Sequence, residues 1–155
     1  MGVERIVMEE PMQSDPFFRM RKILDEHPDL GASGFRVGDF SDSKFAEDRR
    51  ELLNDLCQVH KAMTLLEVAP RTETCQVNSY ELKHTLERWM SLRNGQHEYL
   101  SNGTVILACL LLDIATVGES CLPVLRKDRN VEVGISSMWH MGVRTVIEEW
   151  SFRKA

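Results

Sequence analysis

The stretch Thr104-Val105-Ile106-Leu107-Ala108-Cys109-Leu110-Leu111-Leu112-Asp113-Ile114-Ala115-Thr116-Val117 decides the fold. It is apolar on every side of a helix, so it either crosses a membrane or lies at the centre of a core. Its 14 residues, interrupted by Asp113, fall short of the ~20 that a bilayer requires. The reading is a central core helix over 104–117, entered through Ser101-Asn102-Gly103 and ended by Gly118.

The flanking sequence supplies what covers this helix. Asp15 and Pro16 open a first helix with Phe17, Met20 and Ile23/Leu24 on one face, and Pro28 stops it. Residues 28–42 carry three glycines and a proline and read as a loop, with a strand-like stretch at 35–37. A second helix, capped by Asp42 or Ser43, is predicted from about Lys44 to Val68. There Leu52, Leu56, Val59, Met63 and Leu66 form a seam for lengthwise helix packing. A third opens at Asn78, with Glu81 placed to complete a capping box and Leu82, Leu86 and Trp89 buried, and stops at Asn94-Gly95. The alternation Val131-Glu132-Val133 allows a short strand. A last helix runs from about Met138 to Phe152, with Trp139, Val143, Ile147 and Trp150 spaced for burial.

The expected architecture is mainly α: about five helices around 104–117, with room for a small β-element. An N-terminal arm covers 1–13, carrying a strand-like stretch at 3–8, and one helical domain covers 14–155. A length of 155 residues suits one domain with a real core. With 43% apolar and 28% charged residues, the composition excludes disordered, collagen-like and disulfide-scaffold chains.

Charge narrows the function classes. The net charge is −5, and its excess is local: residues 1–60 carry 8 Lys/Arg against 13 Asp/Glu, whereas residues 61–155 carry 11 of each. Nucleic acid is held by neutralising phosphates, and the densest basic run, Arg126-Lys127-Asp128-Arg129, is short and broken by an acid. No helix joins a basic face to a large apolar one, so a membrane partner is not expected. The cysteines, Cys57, Cys75, Cys109 and Cys121, show no C-x-x-C spacing, and no export signal precedes them. They are expected to be reduced, in the cytoplasm, with Cys57 and Cys109 packed as small hydrophobes.

Searching for chemistry yields exclusions first. Cys57 and His60 share a helix face, but no second pair completes a metal site, so no metal or cofactor is expected. Cys75, in the loop Arg71-Thr72-Glu73-Thr74, reads as an ordinary thiol. There is no G-x-S-x-G elbow, phosphate-cradling loop or H-E-x-x-H helix, and no catalytic residue is assigned. Glu47, Asp48, Glu51 and Asp55 read as the solvated face of the second helix, with an acidic docking patch as the rival reading.

The richest stretch is the third helix. Tyr80, Lys83, His84, Glu87 and Arg88 recur at steps of three or four and form a polar stripe opposite Leu82, Leu86 and Trp89. An aromatic ring, an imidazole and both charge signs on one stripe suit recognition of a partner. The pattern Ser79-Tyr80-x-Leu82-Lys83-His84-x-x-Glu87, then Tyr99-x-Ser101-Asn102-Gly103-x-x-Ile106-x-Ala108, resembles one found in small uncharacterised bacterial and phage proteins. It covers about 30 of the 155 residues. The resemblance implies a bacterial or mobile-element source and no particular activity. In that pattern a glycine and an aromatic residue follow the core helix, where this chain has Ile114-Ala115-Thr116.

Three functions follow as expectations. The first is a non-enzymatic interaction or regulatory protein of the bacterial cytoplasm, binding a protein partner through the stripe, with self-association left open. The second is nucleic-acid binding by a helix-turn-helix-like pair of the third and fourth helices, using Lys83, Arg88 and Arg93. The third is a small enzyme with His84 or His60 as general base.

Overall fold

The structure, a computed structural model, describes residues 16–117 and 128–154. The expected N-terminal arm, the Asp15 cap, the Gly118 stop and Cys121 lie outside these residues. In chain order the elements are α1 (Pro16–Glu26), β1 (Leu30–Gly31), β2 (Gly34–Phe35), α2 (Asp42–Asn54), α3 (Leu56–Leu66), β3 (Val77–Asn78), α4 (Ser79–Asn94), α5 (Asn102–Leu111), β4 (Thr116–Val117), β5 (Glu132–Val133) and α6 (Ser137–Lys154). The protein is mainly α with small antiparallel sheets, as the sequence predicts.

α5 is the centre. All its residues but Leu110 are buried, and α1, α3 and α4 pack around it. Burying apolar surface drives this arrangement. Ser101 caps α5, accepting from the Thr104 N–H at 3.1 Å. The helix stops at Leu111, earlier than the predicted Val117. Asp113 there adopts the left-handed conformation (φ 55°), which aspartate tolerates better than most residues. Its carboxylate meets Arg19 of α1 at 2.8 Å. The β-branched Thr116 and Val117 then join a sheet of order β3-β5-β4, with Val133 of β5 opposite both Val77 and Thr116.

The predicted 44–68 helix is two helices. Asp55 between them leaves helical geometry (φ −104°, ψ 19°), and Asn54-Asp55 are poor helix formers whose side chains compete for the backbone. The cap of α2 is Ser41, accepting from the Lys44 N–H, one residue before the expected candidates. The seam survives the break: Leu52, Val59 and Leu66 are buried, with Leu56 and Met63 packed against the core. In α1, Met20, Ile23 and Leu24 are buried, whereas Phe17 is exposed.

Asp48, expected on the solvated face of α2, ties the fold together instead, as does its neighbour Arg49. Asp48 accepts from the Ser33 N–H at 3.1 Å and the Ser33 hydroxyl at 2.7 Å. Arg49 donates to the carbonyls of Leu24, His27 and Leu30, satisfying acceptors at the end of α1 and in the hairpin. The β1–β2 hairpin also lies directly against the start of α5, where the Gly103 N–H donates to Ala32 O at 2.8 Å. A Cβ at Gly103 would lie 1.9 Å from Gly31 O, so only glycine fits that approach.

Candidate functional site

α4 begins where β3 ends, and this junction aims its first turns. The Asn78 side chain accepts from the Tyr80 N–H at 3.0 Å, and the Ser79 hydroxyl accepts from the Val131 N–H at 3.1 Å. Fixed this way, Tyr80 and Lys83 face the β1–β2 hairpin, the start of α5 and the 128–130 loop. Together these segments enclose a polar cleft of about 680 Å³, with Ser33, Glu51, Tyr99, Asn102 and Arg129 in its walls.

Lys83 is the centre of the site. It is 7% exposed, and its ammonium lies 3.0 Å from Glu87 Oε1. The Tyr80 and Tyr99 rings flank it at 5.4 and 5.3 Å, within cation–π range. Glu87 Oε1 also accepts from the Leu100 N–H at 2.9 Å, so this carboxylate fixes both the lysine and the chain leading into α5. A buried charge is tolerated when it is paired and hydrogen-bonded in this manner.

The rest of the stripe divides. His84 packs edge-on against Tyr80, with centroids 4.5 Å apart, and its Nδ1 is 3.6 Å from Glu87 Oε2, beyond hydrogen-bond reach. It is half-exposed at the rim. Arg88 is exposed and is not among the residues lining the cleft. The structure therefore brings together Tyr80, Lys83 and Glu87, sets His84 beside them, and leaves Arg88 out.

Several wall residues escaped the sequence reading. Asn102, read as part of a cap, is buried. Its Nδ2 donates to Ser33 O at 3.1 Å and Asn130 Oδ1 at 2.9 Å, while among the described residues its Oδ1 has no hydrogen-bond partner. Arg129 stacks over Phe40, 4.6 Å from its ring centroid. Tyr99 is pushed above the usual tyrosine range by burial, then by Glu51, Glu87, Asp55 and Asp48 around it. Its hydroxyl therefore stays protonated at neutral pH and can donate. The signal available in the sequence was the glycine spacing at 31, 34 and 103, which marks close backbone approaches.

The cysteine and metal expectations resolve unevenly. Cys109 is buried, but Cys57 is exposed and Cys75 intermediate; α3 turns Cys57 away from its buried face of Val59, Ala62, Leu65 and Leu66. Among the described residues no three His, Cys, Asp or Glu side chains are grouped to hold a metal ion. No described helix is long and apolar enough to cross a membrane. The cations assigned to nucleic acid are scattered: Lys83 is paired inside the cleft, Arg88 is exposed, and Arg93 lines a separate apolar groove between α4 and α6. His60 is exposed against Phe17, with centroids 6.1 Å apart.

Compared with known families, curated proteins and solved structures, the chain matches no family model, no curated protein and no solved structure.

Proposed function

We propose that the chain is a non-enzymatic interaction protein of the bacterial cytoplasm, taking a short polar segment of a protein partner into the cleft around Lys83. One observation carries the reading: a buried, paired lysine set between two tyrosine faces at an open cleft. Tyrosines supply rigid contact area with a polar tip, which suits recognition. Lys83 and Arg129 offer donors to acidic groups, and Glu51, Asp39 and Asp128 offer acceptors to basic ones. A segment carrying both charge signs satisfies both walls.

The test uses a photo-crosslinking residue in place of Tyr99 and, separately, in place of Arg88, in cells of the source organism. The expected result is one protein captured from position 99, absent from position 88, and lost when Glu51→Lys and Arg129→Glu are added. These rim changes spare the buried ion pair. Capture that is equal from both positions, or that survives the charge reversals, rejects the reading.

The enzymatic reading draws on one observation, the approach of His84 to Glu87. A carboxylate near an imidazole can orient a general base. That Glu87 Oε1 already bonds Lys83 and the Leu100 N–H favours a structural use of this carboxylate.

A further inference from the structure

The cleft around Lys83 holds more unmatched negative charge than positive. Asp39, Glu51 and Asp128 line it and are exposed. Among the described residues none of the three forms an ion pair. The two cations of the cleft are already engaged: Glu87 matches Lys83 at 3.0 Å, and Arg129 lies over the Phe40 ring. Glu51, Glu87, Asp55 and Asp48 add to burial in raising the Tyr99 hydroxyl, as a negative field does. Among the described residues these carboxylates do not converge on a single metal ion, so an extended organic cation suits them better.

A second observation is independent of charge. Asn102 lines the same cleft and is 3% exposed. Its Nδ2 is committed to Ser33 O and Asn130 Oδ1, which fixes the orientation of the amide. Its Oδ1 is left, among the described residues, as a buried acceptor without a donor. Such an atom carries a standing desolvation cost, which an incoming N–H relieves. Bulk water does not reach it, so the donor must be held against this wall by other contacts, and the carboxylates supply them.

We infer that the cleft is a binding site for a guanidinium group, the head of an arginine side chain or of a free guanidino compound. The inference rests on the reading of this cleft as the binding site and names the chemical group that enters it. A guanidinium has five N–H donors in a planar fork and no acceptor, so it can serve the Asn102 oxygen and a carboxylate at once. It is also more weakly hydrated than an ammonium and stacks on aromatic faces. Tyr80 and Tyr99, 47% and 52% exposed, offer such faces at the mouth of the cleft.

The test titrates the full chain with methylguanidinium, acetyl-arginine methylamide and the citrulline counterpart of the latter, which is nearly isosteric and neutral. Nuclear magnetic resonance follows the side-chain amide of Asn102. Both guanidinium compounds should shift it saturably, with affinity falling as salt rises, and citrulline should bind at least about tenfold more weakly. Tighter binding of the capped arginine than of methylguanidinium assigns the site to a polypeptide; equal binding assigns it to a free guanidino compound. Glu51→Gln combined with Asp39→Asn should weaken arginine binding about tenfold and leave thermal unfolding unchanged, because both residues are exposed. Glu47→Gln, on α2 but outside the cleft, should change nothing. Equal binding of citrulline, indifference to the double variant, or no saturable shift overturns the inference. Capture of a protein from position 99 without guanidinium binding sinks this inference and spares the proposed function; guanidinium binding without capture does the reverse.

Discussion

Thr85 Oγ1 and His140 Nε2 lie 2.7 Å apart in the buried seam between α4 and α6. The Thr85 hydroxyl has one proton and donates it to Glu81 O at 3.2 Å, so its oxygen accepts from the imidazole. His140 thereby carries a proton on Nε2. Burial pushes its pKa below the usual 6.5, Arg144 lowers it further, and Glu81 opposes the shift.

That relationship sets a pH dependence. A histidine whose folded pKa is depressed binds more protons in the unfolded chain, so stability rises with pH through that range. It is fully present above the unfolded value of about 6.5 and falls as pH drops below it, levelling at the folded pKa. Urea denaturation between neutral and mildly acidic pH should show this loss, and His140→Gln should reduce its slope. An unchanged slope in the variant refutes the assignment.

The Lys83–Glu87 pair makes an asymmetric expectation. Removing one member of a buried pair leaves an uncompensated charge, at a cost of about 3–5 kcal/mol when burial is complete. Glu87→Ala removes the partner of Lys83 and also the acceptor of the Leu100 N–H. Lys83→Met leaves the latter bond in place and retains apolar bulk between the two tyrosines. Denaturation should therefore find Glu87→Ala the more damaging, with a double-mutant cycle reporting the coupling.

At the start of α5, Gly103→Ala should destabilise the protein by more than the ~1–3 kcal/mol usual for overpacking, because the new Cβ would meet Gly31 O. Asp48→Ala, which frees the Ser33 N–H and hydroxyl, should cost about 1–3 kcal/mol. Amide exchange should place the loosening in residues 30–35 in both variants. Gly95→Ala is a different case: φ there is 70° with open space around it, so only backbone strain opposes it.

Thiol reactivity separates the cysteines. Burial pushes the Cys109 thiol up to about 12, and only thiolates react readily. Alkylation of the native chain followed by peptide mass mapping should label the exposed Cys57 early and Cys109 only on unfolding. Early modification of Cys109 would contradict its place in the core.

How much of this was legible depends on where each determinant lies. The identity of α5 is written in its own residues, as are the Asn78 cap and the Gly95 stop of α4, since these are local. The break at Asp55 is hidden because the apolar seam continues through it. The polar stripe was read as one face, but residues four apart drift by about 40° per step on a helix of 3.6 residues per turn. Tyr80, His84 and Arg88 thus rotate progressively, and Arg88 leaves the cleft. The burial of Lys83 could not be read locally, because Tyr99, the hairpin and the 128–130 loop come from other parts of the chain.

The enclosure of α5 imposes an order on folding. Its first turn is covered by Ala32, and the hairpin that supplies this cover is bonded in turn to Arg129, through Phe35 N–H to Arg129 O at 2.9 Å. Segments from the early and middle chain must therefore meet before the most apolar helix is shielded, and such distant pairings form slowly. α1, α3 and α4, which pack around α5, all come ahead of it in the chain, so the most apolar segment is synthesised after the helices that enclose it, once its cover has been made.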